Sequence, residues 1–290
     1  MALAWCRAVA ERRYKLPGGQ LRNLAVAADV HERHLVALSL PSPETRPGTT
    51  GPPTSGSPSP GAPSPSAPST SVQPPALPEV RLPDTQAAAM KALGSVLGKV
   101  RAGHLDRSAS ADGSVALLWA CLAAAAAQGS VLTRRSSAVA APPDEPEHPP
   151  YRAMTPTAAA QALLAQLHAI VFGYQVALTP LSGDTAEPHR ARLAELRQHR
   201  DVVATVLRDL DAEVPAAEPE YDTGGRITTD KAAVALVARM EHALLPHLGN
   251  WVAATEDGGH RRTAAGWLGS ATADAVRAGA TTSWWPGWPD

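Results

Sequence analysis

The spacing of the apolar residues is the feature that most constrains the fold of this chain. Outside two proline-rich stretches, apolar side chains recur three and four residues apart, and no long stretch alternates with a period of two. That spacing places apolar side chains on one face of an α-helix. It predicts an all-α protein, with helices over eight segments: 2–14, 20–38, 84–104, 114–132, 157–178, 188–210, 229–252 and 260–278.

Two proline-rich stretches divide these helices. Residues 41–83 contain 14 of the 28 prolines, with Ser, Thr and Gly between them. A segment of this composition has too few apolar side chains to form a core, so a disordered Pro/Ser-rich linker is predicted there. A second linker is predicted over 141–154. The expected parts are a helical segment (1–40), the linker (41–83), the remainder of an N-terminal bundle (84–140), the second linker (141–154) and a C-terminal domain (155–290).

The last four predicted helices have the lengths and connections of a four-helix bundle. Pro156 and Pro188 fit the first turn of a helix, where proline is tolerated. Thr228, Thr229 and Asp230 are candidate N-caps for the helix that follows them. For the first half, the pattern predicts a looser, degenerate bundle, with the proline-rich tract inserted between its second and third helices.

Charge and hydropathy limit the possible partners. The chain has 26 basic and 27 acidic residues, so its net charge of −1 gives no electrostatic reason to expect nucleic acid. No apolar run of about 18–20 residues is evident, and the richest, 116–127, is mostly alanine, so no membrane span is predicted. The start lacks a signal peptide, which predicts a cytoplasmic protein as encoded. An upstream start codon would leave a lipid-anchored, extracytoplasmic protein open.

A metal site inside the C-terminal bundle would require ligands from its buried faces. Di-metal bundles use inward carboxylates from all four helices, and on two of them a Glu followed three residues later by His. The only such pair here, Glu145 and His148, lies in the second linker. The candidate ligands on the helices are His168, Glu195, His199 and Glu241.

Helical periodicity offers a non-metal interpretation of the same side chains. His168 lies a quarter-turn from Leu167, which is at the centre of the apolar face, so His168 is predicted to be a boundary residue. His199 and Glu241 both fall on apolar faces, which favours a buried hydrogen-bonded pair because a buried charge must be paired. In the first half, His31 and His34 have a spacing that permits metal binding, but no third ligand is evident from the sequence.

The C-terminal sequence SWWPGWPD concentrates Trp284, Trp285 and Trp288 around proline and glycine. We expect this tail to fold back onto its own bundle. The alternative is a partner-binding role, because tryptophan is enriched at interface hot spots. A homodimer or another protein partner, bound through helix faces or through this tail, therefore stays open.

Four segments of the second half resemble a ferritin-like domain of unknown function found in actinobacterial proteins. These are LLAQLHAIVFGY, RQHRD, PAAEPEYDTGGRITTDKAAVALVARMEHAL and WWPGW. The resemblance covers nearly all of 155–290 and extends more weakly to LAVAADVHERHLVAL and to 86–132. Members of that family tend to carry Glu directly before the histidine of the first helix, where this chain has Leu167, while Glu241 is retained.

The resemblance implies a ferritin-like four-helix bundle whose metal site has been lost. The predicted function is therefore a non-catalytic binding or structural role, without enzyme activity, metal or other cofactor. The alternative is a metal-binding protein for iron handling or oxidation, with iron or manganese on His168, Glu195, His199 and Glu241. A further alternative is an envelope-associated lipoprotein with the proline-rich tract as a stalk, since relatives often begin with a lipoprotein signal and LAWC ends at Cys6.

Overall fold

The computed structural model describes residues 1–12, 14–39, 76–143 and 151–289. Every regular element in these ranges is an α-helix, which confirms the all-α prediction. The eight helices are α1 (Ala2–Glu11), α2 (Gly18–Ser39), α3 (Gln86–Ser110), α4 (Gly113–Leu132), α5 (Pro156–Ala177), α6 (Gly183–Asp209), α7 (Asp230–Ala254) and α8 (Gly258–Ala278). Most of the predicted linker 41–83, and the pair Glu145 and His148, lie outside the described residues.

Threonine side chains begin several of these helices. Thr155 accepts a hydrogen bond from the Ala158 amide at the start of α5, and Pro156 follows it at the first helical position. Thr229 caps α7 in the same way, as one of the three candidate residues there. A side-chain oxygen at this position satisfies an amide that has no partner within the helix.

Two helices extend five or more residues beyond an end that the periodicity predicts. α6 begins at Gly183 instead of residue 188, so Pro188 is its sixth residue and not part of the first turn. α3 continues to Ser110 instead of ending at residue 104. The Ser108 hydroxyl donates to the Ala116 carbonyl at 2.9 Å and joins the end of α3 to the start of α4. This hydrogen bond depends on the next helix, so the apolar spacing within α3 does not predict where α3 ends.

The first four helices pack as a bundle in which each has two neighbours. α1 contacts α2 and α3, and α4 contacts α2 and α3. The shared core contains Leu3, Leu24, Leu93, Leu97 and Leu132, all buried. The structure therefore places all four N-terminal helices in one packed group, in agreement with the predicted bundle.

The last four helices repeat this arrangement. α5 contacts α6 and α7, and α7 contacts α8. Side chains of α6 and α8 also meet, since the His199 and Trp267 rings stack with centroids 3.8 Å apart. The buried core of this bundle includes Leu163, Leu167, Leu196 and Leu244, each without exposed surface.

α4 connects the two bundles. It packs against α2 and α3 on one side and against α7 and α8 on the other. Ala116, Ala120 and Ala124 belong to the same buried cluster as the C-terminal core. The two halves thus share apolar surface, and the five-part domain division remains a prediction.

α4 is also long and apolar enough to cross a membrane. No other helix in the described ranges passes this test of length and composition. This result differs from the sequence analysis, which predicted no membrane span. The sequence analysis considered the apolar run 116–127, whereas the helix that passes the test is longer, Gly113–Leu132. Within the structure 78% of that window is buried in protein. α4 is therefore packed as the central helix of the molecule.

The tryptophan tail folds back onto the protein, as predicted, but it lies across both halves instead of on its own bundle alone. Trp285 and Trp288 pack with Leu117 and Cys121 of α4. The Trp284 carbonyl lies 2.7 Å from Nε2 of His34 on α2. The tail thus connects the C-terminal bundle to helices of the first half.

Candidate functional site

Four polar side chains meet inside the C-terminal bundle, one from each of its helices. They are Tyr174 of α5, Arg192 of α6, Glu241 of α7 and Asp274 of α8. Glu241 has no exposed surface, and Arg192 is 6% exposed. A buried carboxylate and a buried guanidinium are stable only when each is paired, so this cluster is the strongest constraint on the chemistry of the bundle.

Arg192 and Glu241 form a bidentate pair. Nε of Arg192 donates to Oε1 of Glu241 at 2.9 Å, and Nη2 donates to Oε2 at 3.0 Å. The Tyr174 hydroxyl donates to the same Oε1 at 2.6 Å. Both carboxylate oxygens therefore have charged or hydroxyl donors, which is the stronger class of protein hydrogen bond.

The guanidinium of Arg192 also reaches two further carboxylates. Nε lies 3.1 Å from Oδ2 of Asp274, and Nη1 donates to Oε2 of Glu195 at 3.0 Å. The Asp274 side chain is 23% exposed and that of Glu195 is 58% exposed, so these two pairs lie toward the bundle surface. One buried cation thus serves three acidic groups.

Burial and charge act on the proton equilibria of this cluster in opposite directions. Burial lowers the pKa of Arg192, but the Glu241 and Asp274 carboxylates outweigh it, so the net pKa is above the ordinary value. Burial raises the pKa of Glu241, and the Arg192 charge opposes that rise. Burial, and then the Glu241 charge, raise the pKa of Tyr174. Arg192 is therefore the permanent positive charge of the site, and Tyr174 stays a hydroxyl donor.

The structure places His168 at the edge of the core, as its helical position predicts. Leu167 is fully buried, while His168 is half-buried, with Nε2 3.3 Å from the Pro215 carbonyl oxygen. Burial lowers the pKa of His168. Its backbone partner lies in the α6–α7 connection, so this ring faces a loop and not the central cluster.

The predicted pair of Glu241 and His199 is wrong. Glu241 is bound by Arg192 and Tyr174, whereas His199 stacks on Trp267. His199 is half-buried, and burial lowers its pKa to about 3, so the ring is neutral at physiological pH. A neutral imidazole can stack on an indole ring without losing the hydration of a charge.

The structure does not bring the four candidate ligands together around one point. They are His168, Glu195, His199 and Glu241. Within the described residues, no group of three or more His, Cys, Asp or Glu side chains is arranged to hold a metal ion. Of the four, Glu195 and Glu241 contact the same guanidinium, and the two histidines contact other groups.

Arg192 is the residue of this site that the sequence reasoning missed. The buried face of α6 contains Leu196, Val203 and Leu207, and His199 falls within it. The same spacing extended one turn toward the N-terminus reaches Arg192. The sequence signal for such a residue is a charged side chain at a position that continues an apolar helical face. The sequence does not show that its partner is Glu241 on another helix.

The comparisons with known proteins concern the part of the chain that forms this bundle. A family described as Domain of unknown function (DUF4439) matches residues 158–290. The matched residues are called the DUF4439 region below. The DUF4439 region contains α6, α7, α8, almost all of α5 and the tryptophan tail, so all four residues of the central cluster lie inside it.

A solved structure is also similar to the chain. The crystal structure of a conserved hypothetical protein, rv2844, from Mycobacterium tuberculosis is 24% identical, with coverage of 42% of this chain and 93% of that chain and a TM-score of 0.41. No curated protein matches the sequence.

Proposed function

We propose that the DUF4439 region is a non-catalytic, ferritin-like bundle with a structural or binding role, in which an arginine holds the position of a lost metal site. The bidentate contact between Arg192 and Glu241 carries this proposal. A fixed guanidinium supplies positive charge to the inward carboxylate, which is the electrostatic part of what a bound cation would supply.

The connectivity of the bundle supports the ferritin-like assignment. α5 and α6 are joined by a short turn, as are α7 and α8, while α6 and α7 are joined by the long connection 210–229. Ferritin-like bundles have one long crossover of this kind. Their metal ligands project inward from all four helices, and in this chain the four inward polar residues of the cluster also come from four helices.

The chemistry of these four residues supports a charge-paired centre over a metal centre. Di-metal carboxylate bundles place four Glu and two His side chains around the ions. Here the positions are a tyrosine, an arginine, one buried glutamate and one partly exposed aspartate. A cation entering this site would have to displace a guanidinium that makes two charge-assisted hydrogen bonds to the buried carboxylate.

Metal analysis of the purified chain tests this proposal directly. The protein is incubated under reducing, anaerobic conditions with excess Fe²⁺ or Mn²⁺, desalted and analysed for metal by mass spectrometry. We expect a metal content near zero per chain, unchanged in the variants Glu241→Gln and Glu195→Gln. Glu195→Gln is the matched control, because it removes an acidic group on the surface side of the same arginine.

Near-stoichiometric metal in the wild type would contradict the proposal if Glu241→Gln removes it and Glu195→Gln does not. A second variant, Arg192→Gln, tests the contribution of the guanidinium apart from that of the rest of the bundle. If the guanidinium replaces a metal, this variant should gain affinity for Mn²⁺ relative to the wild type, or lose stability because Glu241 is left without its cation.

A further inference from the structure

A second group of polar side chains lies in the N-terminal bundle, around a cavity of about 190 Å³. All four helices of that bundle contribute to its walls. The apolar part is formed by Leu3 of α1, Leu35 and Leu38 of α2, Val100 of α3 and Leu122 of α4. Leu38 is 45% exposed, so the cavity reaches the protein surface. Cavities between the helices of a bundle are common ligand sites.

The polar part of the wall consists of three histidines. His31 and His34 are on α2, with ring centroids 6.0 Å apart, and His104 is on α3. His34 is held by the tail, because its Nε2 pairs with the Trp284 carbonyl. His104 stacks on Trp119, with centroids 5.4 Å apart.

Two of these rings carry nitrogen atoms without hydrogen-bond partners. Within the described residues, His31 is 9% exposed and no hydrogen bond to its ring is formed, and Nδ1 of His104 is buried without a partner. Buried polar atoms without partners are rare in native proteins because each lost hydrogen bond is costly. The cavity therefore offers hydrogen-bonding capacity that the protein itself does not use.

The rings of His31 and His104 are uncharged at physiological pH. Burial lowers the pKa of His31 to about 3, with smaller effects of His34, His104 and the N-terminal ammonium of Met1. Burial, and then the charge of Arg107, lower the pKa of His104 to about 4. None of the side chains that line the cavity is Asp, Glu, Lys or Arg. A neutral imidazole has one N–H donor and one acceptor nitrogen.

We propose that this cavity binds an uncharged, single-ring aromatic molecule with one hydroxyl group, of which phenol is the simplest example. The size fits, since an apolar cavity of roughly 150 Å³ is large enough to bind benzene. The hydroxyl group both donates and accepts a hydrogen bond, which matches the neutral ring of His31. The apolar wall favours the ring, and the only ionic group among the lining residues is the α-amino group of Met1, whose positive charge disfavours a cationic ligand.

A metal ion is the other class of ligand that histidines suggest. In the described ranges, however, no three His, Cys, Asp or Glu side chains are arranged around one ion position, so these three rings do not form such a site as they stand. The experiment includes a metal arm for this reason.

Binding of phenol and of toluene to the full 290-residue chain tests the proposal. The two probes have nearly the same size and differ in the hydroxyl group. Each is titrated at pH 7 and followed by two-dimensional NMR, with calorimetry for affinity. We expect saturable one-to-one binding of phenol, with shifts at residues of the cavity wall, and affinity for toluene about tenfold lower, the loss expected for one buried hydrogen bond.

Three variants locate the binding. His31→Leu keeps the volume but removes the polar ring, so it should weaken phenol about tenfold and leave toluene within about twofold. Val100→Trp fills the cavity and should abolish binding of both probes. His242→Leu is the matched control, because His242 is an exposed histidine on α7, and it should change neither affinity. Circular dichroism of each variant separates lost binding from lost folding.

Several results would overturn the proposal. They are no saturable phenol binding to the folded wild type, equal affinities for phenol and toluene, or a phenol affinity that His31→Leu leaves unchanged. In the metal arm, Zn²⁺ is titrated in the presence of phenol. Zn²⁺ that displaces phenol, and that loses its own binding in His31→Leu, would make the cavity a metal site and also overturn the proposal.

Discussion

A single guanidinium, that of Arg192, neutralises the buried Glu241 carboxylate at the centre of the C-terminal bundle. Removing one partner of such a pair leaves a charge buried without compensation, which costs about 3–5 kcal/mol. Removing both partners leaves no such charge. The pair is therefore expected to matter more through the penalty of breaking it than through net stabilisation.

We predict that Arg192→Leu lowers the free energy of unfolding by about 3–5 kcal/mol, measured by urea denaturation. The double variant Arg192→Leu/Glu241→Leu should recover most of that loss, apart from about 1–3 kcal/mol for the Tyr174 hydroxyl left without its acceptor. Arg190→Leu, at an exposed position two residues away, is the control and should stay within about 0.5 kcal/mol. A double variant less stable than Arg192→Leu would contradict this account.

Adjacent residues on α5 have opposite roles. Leu167 is fully buried in the core. His168 is half-buried, and its ring pairs with the carbonyl oxygen of Pro215 in a loop. Leu167→Ala should cost about 2–5 kcal/mol because it leaves a cavity. His168→Gln should change the free energy of unfolding by about 1 kcal/mol or less. Chemical denaturation of both variants measures this difference, and a larger effect for His168→Gln would make that ring a structural residue.

At the scale of the element, the contact between α7 and the tryptophan tail is set by two glycines. A Cβ atom added to Gly249 of α7 would lie 1.8 Å from the Gly287 carbonyl oxygen, which is too close for any side chain. Gly287 itself has a φ of 91°, a left-handed conformation that favours glycine. The close approach of helix and tail therefore requires Gly249.

We predict that Gly249→Ala displaces the tail and lowers the free energy of unfolding by about 1–3 kcal/mol through overpacking. Tryptophan fluorescence should shift to longer wavelength as Trp285 and Trp288 become hydrated. Gly98→Ala is the matched control on α3, because nothing lies within 4 Å of its added Cβ. That variant should be neutral or slightly stabilising, as alanine has the higher helix propensity. Equal effects of the two substitutions would mean that the tail does not depend on this contact.

At the scale of the whole molecule, buried neutral histidines couple stability to pH. The pKa of His31 is about 3 in the folded protein, below its ordinary value of 6.5. Between these two values the unfolded chain binds more protons than the folded one, so stability falls as the pH is lowered from about 6.5 toward 3. His104 and His199 have lowered pKa values as well and act in the same direction.

We predict that His31 alone makes the protein about 2 kcal/mol less stable at pH 5 than at pH 7. His31→Leu should remove that part of the pH dependence, while His242→Leu, at an exposed site, should leave it unchanged. Urea denaturation of the three proteins at both pH values gives the comparison. An unchanged pH dependence in His31→Leu would show that this ring is protonated, or hydrated, in the folded state.

Local properties of this chain could be predicted from its sequence. The apolar spacing determined the helices, because a helical face is formed by residues three and four apart along one segment. The same spacing separated the buried Leu167 from the boundary residue His168, and capping chemistry included Thr229 among the candidates for the start of α7. These features depend on residues that are neighbours in sequence, because the interactions that determine them lie within one or two helical turns.

The partners of the polar residues were decided only by the tertiary structure. Arg192 and Glu241 are 49 residues apart, and the choice of Arg192 over His199 depends on the rotation and offset of α6 against α7. In the same way, His104 joins His31 at one cavity because α3 packs beside α1 and α4 in the N-terminal bundle. Helical periodicity identifies which face of a helix is buried, but the packing of side chains between helices determines which buried groups meet.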